Sequence, residues 1–456
     1  MEAFQHIGIW WLPNDPDNTV PGTLKFDPLE DARLELTGTF ETKSTQRVGS
    51  VEIIQGVTAD AKKITLYKCT GPFTRHVWRD ITFDSSWYDV MCVFEGHHFT
   101  SGVDIIFDTL SVSYSNLEEW IGNSGFTINE DKSPEEYTAC FRRPPTFEAE
   151  LDHCRITVWH RFGFHKDIRE ITFSQDVVIT AKVSKAVHFH ELMTDTFHPI
   201  QNFISLGVGR AVYPLTVDGM IPESKQTIRV FFPVTRPVKI SPVDHPRLML
   251  FTFEDISNDF EKYLKTWFAK STVLKEVTEL YFSVLFEPLM YMQVQFLLLV
   301  QALEAYHRLV HNGEYLSHSD FKMVKKILLD AIPNISNSEF VESLRSRIAF
   351  ANEYSLKTRL RLILDEVLEP CAEQVNLLID NRDIFVKTLR DTRNHLTHHV
   401  NKGKCVITDI QQMYSYVQKT KWILQICFLV ELGFPSEEIS ELVARNWLFI
   451  KMTSRL

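Results

Sequence analysis

The spacing of hydrophobic residues changes about halfway along the chain, and the first part follows the period of β-strands. Over residues 1–240, short runs of alternating apolar and polar residues, or of β-branched residues, recur between Gly, Asp and Pro positions. A period of two is typical of a strand with one buried face, and such strands separated by turns predict a sandwich-like or barrel-like domain. The runs are ARLELTGTF, VEIIQGVTA, KKITLYKCT, WYDVMCVFEG, TLSVSYS, TFEAELD, RITVWHRFGF, REITFSQDVVITAKV and TIRVFFPV. Residues 190–210 interrupt them with a more helical pattern.

The change of period follows a proline-rich segment. Residues 232–247 carry four prolines and are the best candidate for a linker. After them, apolar residues recur every three or four positions, as in amphipathic helices. The sequence therefore predicts an α+β multidomain chain, in which a β-sandwich-like domain over residues 1–240 precedes an all-α bundle over residues 245–456.

Two of the predicted helices are especially well marked. In the last long one, TDIQQMYSYVQKTKWILQICFLVELG, Thr408 or Asp409 is the predicted N-cap, since its side chain can accept a backbone hydrogen bond. Gly433 follows the last residue, where a left-handed conformation commonly ends a helix. An earlier helix, EPLMYMQVQFLLLVQALEAYHRLV, has an apolar stripe made of Phe296, Leu299, Val300, Leu303, Tyr306 and Val310.

Charge limits the ways in which this chain can contact nucleic acid. The net charge is −11, and a general nucleic-acid-binding protein would be basic. From Val243 onward there are 25 Lys and Arg and 27 Asp and Glu residues, a net charge of −2. The remaining 23 and 32 give the first part a net charge of −9, which would repel RNA. Any contact with RNA is therefore expected to be local and to come from the helical part.

Cysteine usage and hydropathy indicate a cytoplasmic protein. The seven cysteines are scattered and form no CxxC pair, which favours free thiols in a reducing cytosol over a structural zinc site. The apolar runs FLLLV and ILQICFLV are too short to span a bilayer, so no membrane association is expected. The first residues, MEAFQHIGIWWLPNDPD, contain an early acid and no basic region, so no signal peptide is predicted.

The richest chemistry lies in LRDTRNHLTHHV, residues 389–400. On a helical wheel with about 100° between residues, Arg390, Asn394 and His398 share the face opposite the core. Arg393 lies on the flank, from which a long side chain can reach outward. The residues that face the core are Phe385, Leu389, Thr392 and Leu396.

Three interpretations of this helix remain open from its residues alone. It can be a solvated helix end, since cations near a helix C-terminus are favoured by the macrodipole. It can be a zinc site built from His395, His398 and His399, although no fourth ligand is indicated. It can also cleave RNA, because an imidazole transfers protons near neutral pH and a guanidinium matches phosphate oxygens. The 2′-hydroxyl of RNA is its own nucleophile, and no carboxylate cluster suited to Mg²⁺ accompanies the motif.

The motif resembles that of a known superfamily. RNHLTH, residues 393–398, resembles the R-X4-6-H motif of HEPN domains, and DTRNHLTHH is close to the form found in ApeA-like HEPN proteins of bacterial anti-phage defence. FLLLVQALEAYHR, residues 296–308, is similar to the first long helix of that family, including a glutamate at the position of Glu304. GIWWLPNDPDNTVPGTLKFDPLEDARLELTGTF and IQNFISLGVGRAVYPLTVDG are similar to segments of the ApeA-type N-terminal domain.

The resemblance implies a metal-independent ribonuclease without a cofactor, of abortive-infection type. It assigns Arg393 to the scissile phosphate, Asn394 to its orientation and His398 to proton transfer, while Arg390 and Lys387 are candidate substrate-binding residues. Arg390 also offers a second R-X4-H match, but the Arg-Asn pair favours the register that starts at Arg393. HEPN domains usually pair, so a homodimer with one composite site is expected, with an RNA substrate such as tRNA.

Other functions are also compatible with the sequence. The HEPN domain can be an inactive dimerisation or nucleotide-binding module that carries a β recognition domain. The β domain can be a carbohydrate-active enzyme, although no carboxylate pair stands out from its surface acids. The resemblance favours a regulatory or sensing role for residues 1–240, with a phage-derived trigger, because a nuclease must be restrained in its host. Trp10 and Trp11 belong either to the core of that domain or to a ligand surface.

Overall fold

The computed structural model divides the chain into two compact units. One spans Met1–Lys265 and the other spans Thr266–Leu456. The predicted order, a β-rich part followed by a helical part, is confirmed. Most of the predicted linker, 232–247, lies outside the residues that the structure describes. The described residues are 1–40, 49–77, 83–130, 137–222, 226–234, 245–311, 313–333, 337–398 and 405–454.

The first unit consists mainly of strands with one buried face. Along Ala32–Thr37, every second side chain is buried and those between are exposed, which is the period expected of a strand. Each of the nine runs predicted as strands lies on one. Among the described residues the strands are β1 (Phe4–Leu12), β2 (Asp15–Phe26), β3 (Ala32–Thr37), β4 (Ser50–Thr58), β5 (Lys63–Val77), β6 (Phe83–Glu95), β7 (Ile106–Tyr114), β8 (Phe126–Glu130), β9 (Tyr137–Phe141), β10 (Phe147–Glu150), β11 (Cys154–Lys166), β12 (Ile171–His188), β13 (Pro214–Met220) and β14 (Thr227–Phe231).

Six of these strands close into a barrel. The order is β6-β3-β2-β1-β4-β5, and β5 pairs with β6 to complete the circle through antiparallel pairings. Closure leaves these strands with fewer unpaired edges. The sheet continues from the last residues of β6 through β14, β13, β7, β12, β11 and β10. The β domain is thus a barrel with an extension, while β8 and β9 form a separate small sheet.

Trp10 belongs to the core of this unit. Its side chain is fully buried, and a Cβ atom on Gly56 would lie 2.2 Å from the indole, so the close approach requires glycine there. Trp11 is half-buried, and its Nε1 donates to Oε1 of Gln55 at 2.9 Å. Of the two interpretations of these tryptophans, burial in the core is confirmed for Trp10.

The helices of the first unit cover its extension. The segment predicted as helical, 190–210, is helical from Phe189 to Val208, with a π-helical turn at Leu192–Phe197. Residues that follow the predicted linker also contact this unit, since Nε1 of Trp120 donates to the carbonyl of Phe251 at 2.9 Å. The helices are α1 (Leu117–Ile121), α2 (Phe189–Glu191) and α3 (His198–Val208).

The second unit is helical. The boundary between the two units, after Lys265, falls within α4. A π-helical turn, Ile363–Val367, directly follows α9. The described helices are α4 (Phe260–Val273), α5 (Lys275–Phe286), α6 (Met292–Val310), α7 (His318–Asp330), α8 (Ser338–Ala349), α9 (Leu356–Leu362), α10 (Ala372–Leu378), α11 (Arg382–His398), α12 (Ile410–Leu432), α13 (Ser436–Arg445) and α14 (Trp447–Thr453).

α6 and α12 form the centre of this unit, and they pack against each other. Asp409 caps α12 as predicted, since its carboxylate accepts from the backbone N–H of Gln412 at 2.8 Å, and Gly433 ends the helix with φ of +83°. Val310 at the end of the predicted α6 stripe is half-buried. The other members of that stripe are almost fully buried: Phe296, Leu299, Val300, Leu303 and Tyr306.

α7 and α8 pack against each other and contain no fully buried residue. The segment after α8 is joined to the one before α7 by the buried Asn352, whose amide both accepts from and donates to the backbone of Leu316, at 2.8 and 2.9 Å. The described helices include none that is long and apolar enough to cross a membrane.

Candidate functional site

The motif residues lie on α11, which packs against α6 and α9. Its predicted core stripe is largely confirmed, since Phe385, Leu389 and Thr392 are buried, while Leu396 is half-buried. The ring of Phe385 stacks on that of Tyr416 in α12, with centroids 5.3 Å apart. Because one face of α11 is held in the core, the opposite face must point outward.

A buried hydrogen bond fixes α11 beside its functional residues. The hydroxyl of Thr392 accepts from the backbone N–H of Ile407 at 3.0 Å. Thr392 is fully buried, so loss of this hydrogen bond would leave the buried N–H of Ile407 unsatisfied. The contact ties the chain just before α12 to the turn of α11 that carries Arg393 and Asn394.

Arg393, Asn394 and Glu304 come together at the surface between α11 and α6. Nη1 of Arg393 donates to Oδ1 of Asn394 at 3.1 Å, and Nη2 donates to Oε2 of Glu304 at 3.5 Å. The arginine side chain is 34% exposed and the glutamate side chain 21% exposed. The carboxylate therefore orients the guanidinium while part of it stays open to solvent.

The two candidate substrate-binding cations differ in availability. Nε and Nη2 of Arg390 both donate to Oδ1 of Asp391, at 2.8 and 2.6 Å, so this guanidinium is already paired. Lys387, one turn earlier, is exposed. No hydrogen bond or ion pair described for Arg390 or Lys387 joins it to Arg393.

The histidines divide as the helical wheel predicts. His398 is exposed at the last residue of α11, and His395 is half-buried. The described residues include no hydrogen-bond or ion-pair partner for either imidazole. His399 lies outside the described residues, within which no group of three or more His, Cys, Asp or Glu side chains could hold a metal ion.

The outward face of α11 can bind an anion and transfer a proton. A guanidinium has five N–H donors, and Arg393 uses two of its nitrogens on Glu304 and Asn394. Its remaining N–H groups can donate to a phosphate oxygen. The imidazole of His398 lies five residues further on, about 7.5 Å along the helix axis. One helix therefore offers one oriented cation and one proton-transfer group.

Sequence reasoning missed two residues that are connected to this site. Arg308 lies four residues after Glu304 on α6, a spacing at which opposite charges can pair on a helix. Glu353 pairs with Arg308 from a segment distant in the sequence. The i, i+4 spacing could have indicated the first, whereas no local pattern indicates the second.

A neutral histidine lies behind this surface. His307 is 2% exposed, and its Nδ1 lies 3.3 Å from Nη1 of Arg359, which is 1% exposed. Burial, together with the charges of His311 and Arg359, lowers the pKa of His307 to about 4. The unprotonated Nδ1 can then accept from the guanidinium, which also donates from Nε to the carbonyl of Tyr354 at 3.1 Å.

Comparison with known families covers both units. The family model described as ApeA N-terminal domain 1 matches residues 5–267, more than half of the chain. The model described as Apea-like HEPN matches residues 297–438, a range that contains Glu304 and all of α11. Searches among curated proteins and among solved structures found no match.

We expect acidification to destabilise the helical unit through His307. The unfolded chain binds a proton between pH 6.5 and about 4 that the folded protein does not bind. The free energy of unfolding should therefore fall by about 2 kcal/mol between pH 7 and pH 5. His307→Gln keeps an acceptor for Arg359 but does not titrate. Urea unfolding followed by helical circular dichroism should show a smaller loss for this variant, and equal losses would contradict the assignment.

Proposed function

This chain belongs to the ApeA-like HEPN family, and from that premise we propose that it is a metal-independent RNA endonuclease of anti-phage defence. The family implies anti-phage defence and a HEPN domain of ribonuclease type. The observation that carries the proposal is the outward face of α11, where Arg393 is oriented by Glu304 and Asn394 while His398 is open to solvent.

Each residue has a role that its surroundings support. The guanidinium of Arg393 binds the scissile phosphate and stabilises the charge that develops on it. Asn394 orients that guanidinium. His398 moves a proton, either from the attacking 2′-hydroxyl or to the leaving 5′-oxygen. As the 2′-oxygen bonds to phosphorus, the bond to the 5′-oxygen breaks, which leaves a 2′,3′-cyclic phosphate and a 5′-hydroxyl.

The reaction needs both an acid and a base, and one α11 supplies one outward imidazole. HEPN domains typically act as dimers on RNA. We propose a homodimer through the helical domain in which two copies of α11 face one phosphate across a two-fold axis. Lys387 would contact a flanking phosphate, as would Arg390 once it leaves Asp391. A tRNA is one candidate substrate.

The β-rich domain, residues 1–240, is proposed to restrain the nuclease or to sense a phage-derived trigger. It contains most of the net negative charge of the chain, so it is poorly suited to binding RNA. The nuclease domain is assigned to residues 245–456. This division would separate the recognition of infection from the cleavage chemistry. We propose that the protein acts in the cytoplasm, where its RNA substrate is found.

Loss of either motif side chain should abolish cleavage while leaving the fold intact. Arg393→Ala and His398→Ala should each reduce RNA cleavage by on the order of 100-fold or more, because each removes a group that acts on the reacting phosphate. The fold should persist, since both side chains lie outside the core. The matched control is His318→Ala, an exposed histidine of α7, and His399→Ala should also have less effect. Sequencing of RNA ends after induced expression measures the outcome. If wild type and His398→Ala both bind RNA and neither cleaves it, the result would favour the inactive-module alternative.

The chemistry of the products should identify the mechanism. Cleavage by the 2′-hydroxyl should proceed in EDTA and leave 2′,3′-cyclic phosphate and 5′-hydroxyl ends, since the motif itself supplies the cation and the proton-transfer group. End-specific ligation and kinase labelling of the fragments distinguish these ends. Products with 3′-hydroxyl ends, or loss of activity in EDTA, would refute the mechanism.

Mixed dimers should test the composite site. If each site needs both histidines, dimers of one wild-type and one His398→Ala chain should be almost as impaired as the variant homodimer. Two affinity tags allow the mixed dimer to be purified, and a mixture with His318→Ala is the control. A mixed dimer that retains half of the wild-type rate would show that each protomer cleaves independently of the other. The same conclusion would follow if the protein is a monomer by light scattering and cleaves RNA at the full rate.

A further inference from the structure

Glu304 is shared between two guanidinium groups. Its Oε2 lies 3.5 Å from Nη2 of Arg393, and its Oε1 lies 3.6 Å from Nη2 of Arg308. Both separations exceed the roughly 2.8 Å of a well-formed charge-assisted hydrogen bond. Arg308 is four residues after Glu304 on the same helix and remains within its reach. The two arginines therefore compete for one carboxylate.

A second carboxylate engages Arg308 more closely. Nη1 of Arg308 lies 2.6 Å from Oε2 of Glu353. The backbone around Glu353 is well anchored: it forms a β-bridge with Glu314, and the neighbouring Asn352 is buried and bonded to Leu316. The side chain of Arg308 is 49% exposed. The backbone that carries the Glu353 carboxylate is thus anchored, while the exposed side chain of Arg308, between the two glutamates, is the group that can move.

We propose that Glu353 is a positioning residue for the motif arginine. By holding Arg308, it leaves Glu304 free to orient Arg393. When the charge of Glu353 is removed, Arg308 turns onto Glu304, its remaining carboxylate neighbour, and Arg393 loses the partner that orients it. The proposal rests on the proposed function, since it concerns the guanidinium assigned to the scissile phosphate, and Glu353 acts through Arg308 and Glu304 without touching RNA.

Removal of the charge on Glu353 should leave the buried arginine nearby satisfied. Oε2 of Glu353 lies 3.9 Å from Nη2 of Arg359, a weak contact. Arg359 also donates to the carbonyl of Tyr354 and faces Nδ1 of His307, at 3.1 and 3.3 Å. Glu353→Gln retains an oxygen acceptor at the same place. This substitution therefore tests the charge of Glu353 with little change in packing.

The test is second-site rescue. Glu353→Gln should lower kcat for RNA cleavage by about tenfold with little change in KM, because misplacement of a group that acts in the transition state lowers kcat. Arg308→Met removes the competitor, so the double variant should recover to within about twofold of the wild-type rate. The matched control is Glu279→Gln, which removes one partner of an exposed i, i+4 pair on α5. A purely structural role for Glu353 predicts no rescue. Full activity of Glu353→Gln, or a double variant as slow as Glu353→Gln, overturns the proposal.

Crystal structures of the same proteins separate this proposal from the proposed function. In Glu353→Gln, Arg308 should lie on Glu304 and the pair of Glu304 with Arg393 should be broken, whereas the double variant should restore the pair. If this exchange occurs but wild type cleaves no RNA, the proposed function fails and the positioning role of Glu353 stands. If Glu304 and Arg393 stay together in Glu353→Gln, the positioning role is refuted whatever the cleavage rates are.

Discussion

Burial of one face of α11 decides where its polar side chains can point. Phe385, Leu389 and Thr392 must face the core, and a rotation of the helix that exposed them would bury a charged group from the opposite side. Burying an unpaired charge costs far more than any single hydrogen bond stabilises. The helical period then directs Asn394 and His398 outward. The proposed composite site depends on this constraint, because only outward side chains can meet those of a second copy.

Charge pairing shapes the surface beside α11. The guanidinium groups of Arg393, Arg308 and the buried Arg359 alternate with the carboxylates of Glu304 and Glu353. Without these carboxylates the arginines would repel one another and lose their orientation. The alternation also links the motif to the segment around Glu353. An acidic protein can in this way present one cation at a defined place without an overall basic surface.

The first unit shows how tertiary context overrides a local pattern. Neither β1 nor β2 is among the predicted strands, and the prolines of β2 cannot donate to a sheet. In the structure Pro21 pairs with Ile9 of β1, while the described pairing of β2 with β3 begins only at Gly22. The missing N–H is therefore tolerated. β8, β9 and β13 were also missed, whereas Trp10 is a core residue, which is one of the two interpretations that the sequence left open.

The sequence by itself determined the order of the two parts, the strands with clear alternation, the caps of α12 and the buried stripes of α6 and α11. These features depend on local periodicity and on side chains that bond to nearby backbone, so they can be recognised from neighbouring residues. Barrel closure and the meeting of Glu304 with Arg393 were decided by tertiary structure. Glu353 is the clearest case: its contact with Arg308 joins residues that are distant in the chain, and only the packing of α6 against the segment after α8 brings the two charges together.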